Sequence, residues 1–378
     1  MGKYIGESVL RKEDPRLVTG EAKYLEDIQL SGMVHAVVKR SDYAHTKIRN
    51  IDTSEAEKVP GVIGVWTGKD FEDLNPMPCA WQAGGVDNNA NTPRVLEIDK
   101  VTFTGQGVAV VVAEDRNIAE DASSKIVVDY EELPTVVSAE EAIKPGAPQL
   151  HENASNNICM EWECGNQEGT EKALGEADVV VKEQLVNQRL IPSSMEPRGA
   201  IADYKSATEE FTVWMTSQAP HVHRLLATAF VFGIPETKMR VIAAHVGGGF
   251  GCKIFLYPEY CLVAALSRKI ERPVKWMETR SENFAATTHG RDHVTQIEVP
   301  ITLAAGFGQE RLGLSGGQNN QFICFGLAVK VNHLTVNHFG LPGTDSRSGN
   351  RHYLAVFDLP ISVGHFSLDQ IGLFWFKS

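Results

Sequence analysis

A chain of 378 residues, 43% hydrophobic and 22% charged, is long enough for two or three packed cores and is not a disordered sequence. Its net charge of −12 leaves no basic face to neutralise phosphates, which excludes a general nucleic-acid or anionic-membrane binder. The start carries charges where a leader needs an apolar run, no stretch approaches the roughly 20 apolar residues that span a bilayer, and the 6 cysteines are scattered without a CxxC. A cytoplasmic protein with free thiols, no membrane insertion and no iron–sulfur cluster of its own is expected.

Residues 1–30 read as polar and extended, punctuated by Asp14-Pro15 and Thr19-Gly20. An apolar run at 33–38 follows, and then Ser54 and Glu57, spaced as a capping box that opens a short helix. Strands are predicted at 61–66 and 108–113, the second an unbroken β-branched run of the kind buried on both faces. Asp115 is placed to cap a helix running to about residue 124, and 126–130 is a further strand. Pro, Asn and Gly between 71 and 91 indicate a long loop. Residues 1–143 therefore form a mixed α/β domain, and the turn-rich segment 144–157, starting Lys144-Pro145-Gly146, reads as a linker.

In the second domain, 158–299, strands are predicted at 179–184 and 211–216. The latter runs through Ser217-Gln218-Ala219-Pro220 into a helix with Val222, Leu225, Leu226, Ala229 and Phe230 at helical spacing, stopped by Gly233 and Pro235. A strand at 239–244 enters His245-Val246-Gly247-Gly248-Gly249-Phe250-Gly251-Cys252-Lys253, with four glycines in five residues. Glycine lets a ligand approach main-chain N–H groups closely, so this stretch suggests a cofactor cradle, with a tightly packed turn as the alternative. A buried helix at 259–270 and a strand at 273–277 complete a strand, loop, helix, strand unit whose ligand belongs at the strand's C-terminal end.

Several chemistries fail on spacing. Ile254 stands where a Walker A loop needs a hydroxyl after its lysine, and it also occupies the third glycine place of GxGxxG, which leaves an NAD-dependent dehydrogenase a remote option. His221 and His223, two apart on a helix, face different ways and make a poor zinc pair, so they read as ordinary helix residues.

Gln218-Ala219-Pro220-His221, Gly233-Ile234-Pro235-Glu236, the glycine loop with Tyr257-Pro258, and Arg272-Pro273-Val274-Lys275-Trp276-Met277-Glu278-Thr279-Arg280-Ser281-Glu282-Asn283 resemble the molybdenum-binding large subunit of the xanthine oxidase and aldehyde oxidase family, nearest its aerobic carbon monoxide dehydrogenase branch. Asp14-Pro15-Arg16-Leu17-Val18-Thr19-Gly20, Ala113-Glu114-Asp115-Arg116 and Ala119-Glu120-Asp121-Ala122 resemble that family's α/β hammerhead domain. The resemblance spans roughly residues 8–298. It implies an α+β (mixed α/β) fold, a hammerhead domain followed by the first part of a molybdopterin-binding domain.

It also implies molybdopterin in its cytosine dinucleotide form, a small-molecule substrate, and separate iron–sulfur and FAD-binding subunits as partners. Gln218 is then expected beside a molybdenum oxo group, and Gly248, Gly249, Phe250 and Gly251 against the metal's oxygen ligands. Standing alone, Gln218 would read as a capping or turn residue. Glu196, in Ser194-Met195-Glu196-Pro197-Arg198, is expected to be structural, and Cys252 matches no ligand position.

The resemblance breaks in three places. Ile254 replaces a glutamate that orients purines in some members. The family's AYRGAGRPE-like and GVGE-like segments, the latter carrying the catalytic base, do not occur, and neither does the cysteine-bearing loop that carbon monoxide chemistry requires there. No catalytic residue and no metal ligand is therefore assigned, and an incomplete, inactive chain is expected. Residues 300–378, with half of the chain's 16 Phe, read as a tail foreign to the family or out of frame. The rival reading is a non-catalytic binding or scaffold protein that keeps the fold without metal.

Overall fold

The structure, a computed structural model, describes residues 5–79 and 91–301 and four strands beyond them. The first part contains α1 (Asp14–Val18), β1 (Val34–Arg40), β2 (Thr46–Asp52), α2 (Ser54–Glu57), β3 (Val62–Thr67), β4 (Lys100–Val101), β5 (Gly107–Ala113), α3 (Arg116–Ser124), β6 (Val127–Glu132) and α4 (Ala139–Ala142). The second contains β7 (Trp162–Cys164), α5 (Gln167–Glu176), β8 (Val179–Asn187), β9 (Gly199–Lys205), β10 (Glu210–Met215), α6 (Pro220–Leu226), β11 (Met239–Ile242), α7 (Pro258–Ile270), β12 (Val274–Met277), α8 (Arg280–Ala286) and β13 (His293–Ile301). The remaining strands are β14 (Ile323–Leu327), β15 (Lys330–Thr335), β16 (Asn350–Tyr353) and β17 (Phe357–Ile361).

One seven-stranded sheet, ordered β11-β10-β9-β12-β1-β5-β3, takes four strands from the second part and three from the first. The seam is the parallel pair β1 and β12, with Val34 opposite Val274. The two parts of the sequence therefore share a sheet. The segment between them is also packed: Leu150 and Ala154 are buried, and the Asn157 side chain donates to the carbonyls of Ala142 and Pro148.

β5 explains why the sheet holds. It is an interior strand, antiparallel to β1 and β3, and its side chains alternate between two cores. Val110 and Val112 face the large core built around α7, while Ala109, Val111 and Ala113 face Ala119 and Ala122 of α3. An unbroken apolar run is what such a doubly covered strand requires. Asp115 caps α3 as expected, accepting the Asn117 N–H at 2.7 Å.

Local details depart from the sequence pattern. Residues 14–18 form a helical turn rather than extended chain, with Pro15 near its start, where its missing N–H costs nothing. Ser54 is not a cap: Asp52 takes its N–H, Thr53 stands at the N-cap, and the Thr53 hydroxyl donates to Glu57 at 2.6 Å. The helix expected through Phe230 stays α-helical only to Leu226, widens into a π-helical turn over Ala227–Phe232, and ends at Gly233, whose φ is 63°. Of the loop expected at 71–91, residues 80–90 lie outside the described residues. Further sheets are β4-β2-β6, β7-β16-β15-β13-β8 and the pair β14-β17. Among the described residues, no helix is long and apolar enough to cross a membrane.

Candidate functional site

The site forms where two adjacent strands end together. β10 and β11 are parallel, with Trp214 opposite Ile242, so their C-terminal ends leave the sheet side by side. β10 leads into Gln218, and β11 leads into the glycine loop. This is the position at which open α/β sheets bind ligands.

The approach to Gln218 is fixed by buried groups. Ser217 Oγ accepts the Ala219 N–H at 2.9 Å and donates to His223 Nδ1 at 2.9 Å, and His223 Nε2 donates to the Ile254 carbonyl at 2.7 Å. Burial lowers the pKa of His223, in keeping with a neutral ring that uses both nitrogens. His223 thus ties α6 to the far end of the loop, while His221 is exposed. Among the described residues, no group of three or more His, Cys, Asp or Glu is placed to hold a metal.

Gln218 itself is exposed, and its amide has a defined orientation. Its Oε1 accepts the N–H groups of Gly251 at 3.1 Å and Lys253 at 3.2 Å, while its own N–H donates to the Lys253 carbonyl at 2.9 Å. With the oxygen occupied, the free end of the side chain is the Nε2 donor. The loop presses on it closely: a Cβ on Gly249 would lie 2.3 Å from Gln218 Oε1, so any larger residue there must displace the amide. Gly251 has a φ of 94°, where an L side chain is strained. Phe250 adopts a φ of 51° and leaves its ring 76% exposed, a conformation rare for an aromatic residue and characteristic of functional loops.

Glu196 secures the loop from below. Its Oε2 accepts the Gly247 N–H at 2.7 Å, and Lys253 Nζ, fully buried, reaches the same oxygen at 3.2 Å and the Glu196 carbonyl at 2.8 Å. Burial pulls the Lys253 pKa down, and the neighbouring carboxylate opposes it. Cys252 closes the turn, its N–H and its thiol both donating to the Gly249 carbonyl, and burial pushes its thiol pKa up. That placement suits a packed structural cysteine rather than a nucleophile.

Deeper in the core lies a polar cluster that no local motif announces. Arg198 is fully buried. It donates to Glu278, Thr287 and Glu259, and its guanidinium carbon sits 3.7 Å from the centre of the Tyr257 ring. Glu259 Oε1 also takes Arg40 from β1 at 2.8 Å, and Arg40 Nε reaches Glu282 at 2.8 Å. Burial alone would raise the Glu259 pKa, but Arg198 and Arg40 outweigh it and hold the carboxyl at about 2. The cluster joins α7, α8 and β1.

The cleft is a set of neutral donors. The N–H groups of Gly248, Gly249 and Phe250 have no hydrogen-bond partner among the described residues, and Gln218 Nε2 stands free beside them. Three consecutive unpaired main-chain donors suit anionic or oxo oxygen. The lysine that follows the loop points its charge to Glu196 instead. A metal-bound oxygen fits this donor set.

The residues that match known families coincide with these two structural parts. Residues 19–134 match the model described as the aldehyde oxidase and xanthine dehydrogenase a/b hammerhead domain, and residues 150–304 match the molybdopterin cofactor-binding domain. The chain belongs to this family of molybdopterin-binding large subunits. It is similar to the carbon monoxide dehydrogenase large chain of Afipia carboxidovorans, 38% identical over 304 residues, which is 77% of this chain and 37% of that one. Among solved structures it resembles quinoline 2-oxidoreductase from Pseudomonas putida 86, with a TM-score of 0.76, 30% identity, and coverage of 94% of this chain and 45% of the other. It also resembles the reconstituted CO dehydrogenase from Oligotropha carboxidovorans, with a TM-score of 0.72, 36% identity, and coverage of 79% and 38%. The chain thus spans a little over a third of the curated carbon monoxide dehydrogenase chain that it matches.

Proposed function

We propose that Gln218, Gly248, Gly249, Phe250 and Gly251 hold the oxygen ligands of a molybdenum centre carried by molybdopterin in its cytosine dinucleotide form, and that the protein acts as the large subunit of a molybdenum hydroxylase or dehydrogenase. The supporting observation is the donor set: one amide locked with its Nε2 outward, beside three consecutive main-chain N–H groups without partners among the described residues. When bound, such a centre supplies two-electron oxidation of substrate with water-derived oxygen. Gln218 and the loop orient oxygen by neutral hydrogen bonds, and the exposed Phe250 ring adds an apolar surface next to them. Partners in this reading are an iron–sulfur small subunit and an FAD-binding medium subunit, with a small molecule as substrate and the cytoplasm as the compartment.

Glu196 does not serve as the base, because Gly247 and Lys253 occupy its Oε2. The same fact favours the second reading, a scaffold that keeps the fold without metal. The two separate on elemental analysis of the purified complex. Molybdenum with releasable pterin, lost in Gln218→Ala, supports the first reading, and their absence from the wild type supports the second. Residues 1–378 purified alone are expected to show negligible turnover, and robust substrate-dependent dye reduction by them would overturn that expectation.

A further inference from the structure

Apart from the Gln218 cleft, a cavity of about 440 Å³ opens between the first part of the chain, at His45, Phe103 and Val136, and the second part, at Arg189 and Phe284. None of its lining residues belongs to the glycine loop. Its walls are mostly apolar, and it lies between two sequence modules, a common place for a small-molecule pocket.

Two polar groups on the wall are short of partners. Arg189 Nε donates to His289 Nδ1 at 2.6 Å, and His289 Nε2 contacts the Phe284 carbonyl at 2.9 Å, so it must carry the proton. That fixes His289 as a neutral acceptor, which orients the guanidinium without neutralising it. Arg189 forms no ion pair among the described residues; Asp292 only attracts it from further away, while burial works against its charge. Its Nη1 and Nη2 have no hydrogen-bond partner among the described residues. His45, only 6% exposed, donates from Nδ1 to the Pro134 carbonyl at 2.7 Å, and its buried Nε2 has no partner among the described residues. A part-buried cation with no counter-ion among the described residues is available to an anionic ligand.

We propose that this cavity binds a small organic carboxylate with an apolar or aromatic body. The free Nη groups of Arg189 take the carboxylate as a fork, and Phe103, Val136, Leu150 and Phe284 enclose the body. The site stands independently of the molybdenum reading, since it shares no residue with that cleft.

Titration calorimetry on the 378-residue chain tests it, with benzoate as probe and benzyl alcohol and benzylammonium as controls of the same shape. Benzoate is expected to bind at least about tenfold more tightly than either control. Arg189→Gln should remove that preference while sparing benzyl alcohol, and Val136→Trp, which fills the cavity, should abolish binding of both. Circular dichroism establishes that each variant is folded, and either folded variant is decisive without the other. No saturable benzoate heat with the wild type would overturn the proposal, as would benzoate affinity unchanged by the folded variants.

Discussion

Two polar clusters meet at residues 196–198, and they are built on opposite rules. Arg198 and its partners form a closed set: two carboxylates, a threonine hydroxyl and a backbone carbonyl occupy the guanidinium, with Tyr257 stacked on it. Two residues earlier, Glu196 supports a loop whose N–H groups at 248–250 are left unpaired among the described residues and whose neighbouring Gln218 turns a donor outward. A closed buried network fixes one packing of the core, because any missing member strands a charge. An open donor set is costly in isolation and makes sense as a surface that another molecule completes. Damage to the first cluster should therefore appear in stability, and damage to the second in what the protein retains.

The largest effect is expected from Arg198→Ala. It leaves Glu278 and Glu259 buried without their main cation, a loss of about 3–5 kcal/mol that denaturant unfolding would register. A cost below about 1 kcal/mol would mean that the network is not the keystone its burial implies. The next effect is reached by pH alone. The Glu259 carboxyl sits at about 2 when folded against a reference of 4.5, so its contribution is fully present above pH 4.5 and is lost as pH falls from there through about 2. That is about 3 kcal/mol of acid-sensitive stability. Glu259→Gln should flatten the acid limb of stability against pH while lowering stability at pH 7.

Glu97 sharpens the contrast, being a part-buried acid outside the network. Burial raises its pKa to about 7, only partly offset by the Arg94 N–H and the Gln106 amide that bond it and by the Arg94 charge. The sign is reversed relative to Glu259: the fold carries this group best when protonated, and stability falls as pH rises from 4.5 through about 7. Glu97→Gln is expected to stabilise the protein by about 2 kcal/mol at pH 8 and to change little at pH 4. Equal melting shifts at both pH values would show that Glu97 titrates normally.

Parts of both clusters could be read from residue order, for different reasons. The glycine loop is local, with four glycines in five residues, and its partner Gln218 follows a strand that ends in a clear Pro-initiated helix. The β5 run is equally readable, because burial on both faces demands an unbroken apolar string. Arg40, Arg198, Glu259, Glu278 and Glu282 belong to different elements and meet only when β1 pairs with β12, so no spacing rule finds them. The pattern could have disclosed α8: Thr279 and Glu282 form a capping box, each side chain taking the other's N–H, three residues apart. The Ser54 and Glu57 pair has the same spacing and is not one, because Asp52 is already on the Ser54 N–H.

The smallest expected effect on stability belongs to the open cluster. Gln218 is exposed, so Gln218→Ala loses only its two contacts with the loop N–H groups and should cost no more than about 1 kcal/mol. Gly249→Ala keeps the amide but puts a Cβ 2.3 Å from its oxygen, and the exposed side chain can swing away at similarly low cost. If the cleft's purpose is to hold oxygen ligands, both variants should purify as stable, assembled complexes with molybdenum content reduced several-fold. Displacing the donor should then hurt nearly as much as deleting it. If Gly249→Ala retained full molybdenum while Gln218→Ala lost it, the outward Nε2 would matter without the close glycine approach that now fixes it. If both retained full molybdenum, the unpaired donors would not be the surface that holds the cofactor, and the contrast with Arg198 would reduce to one of burial.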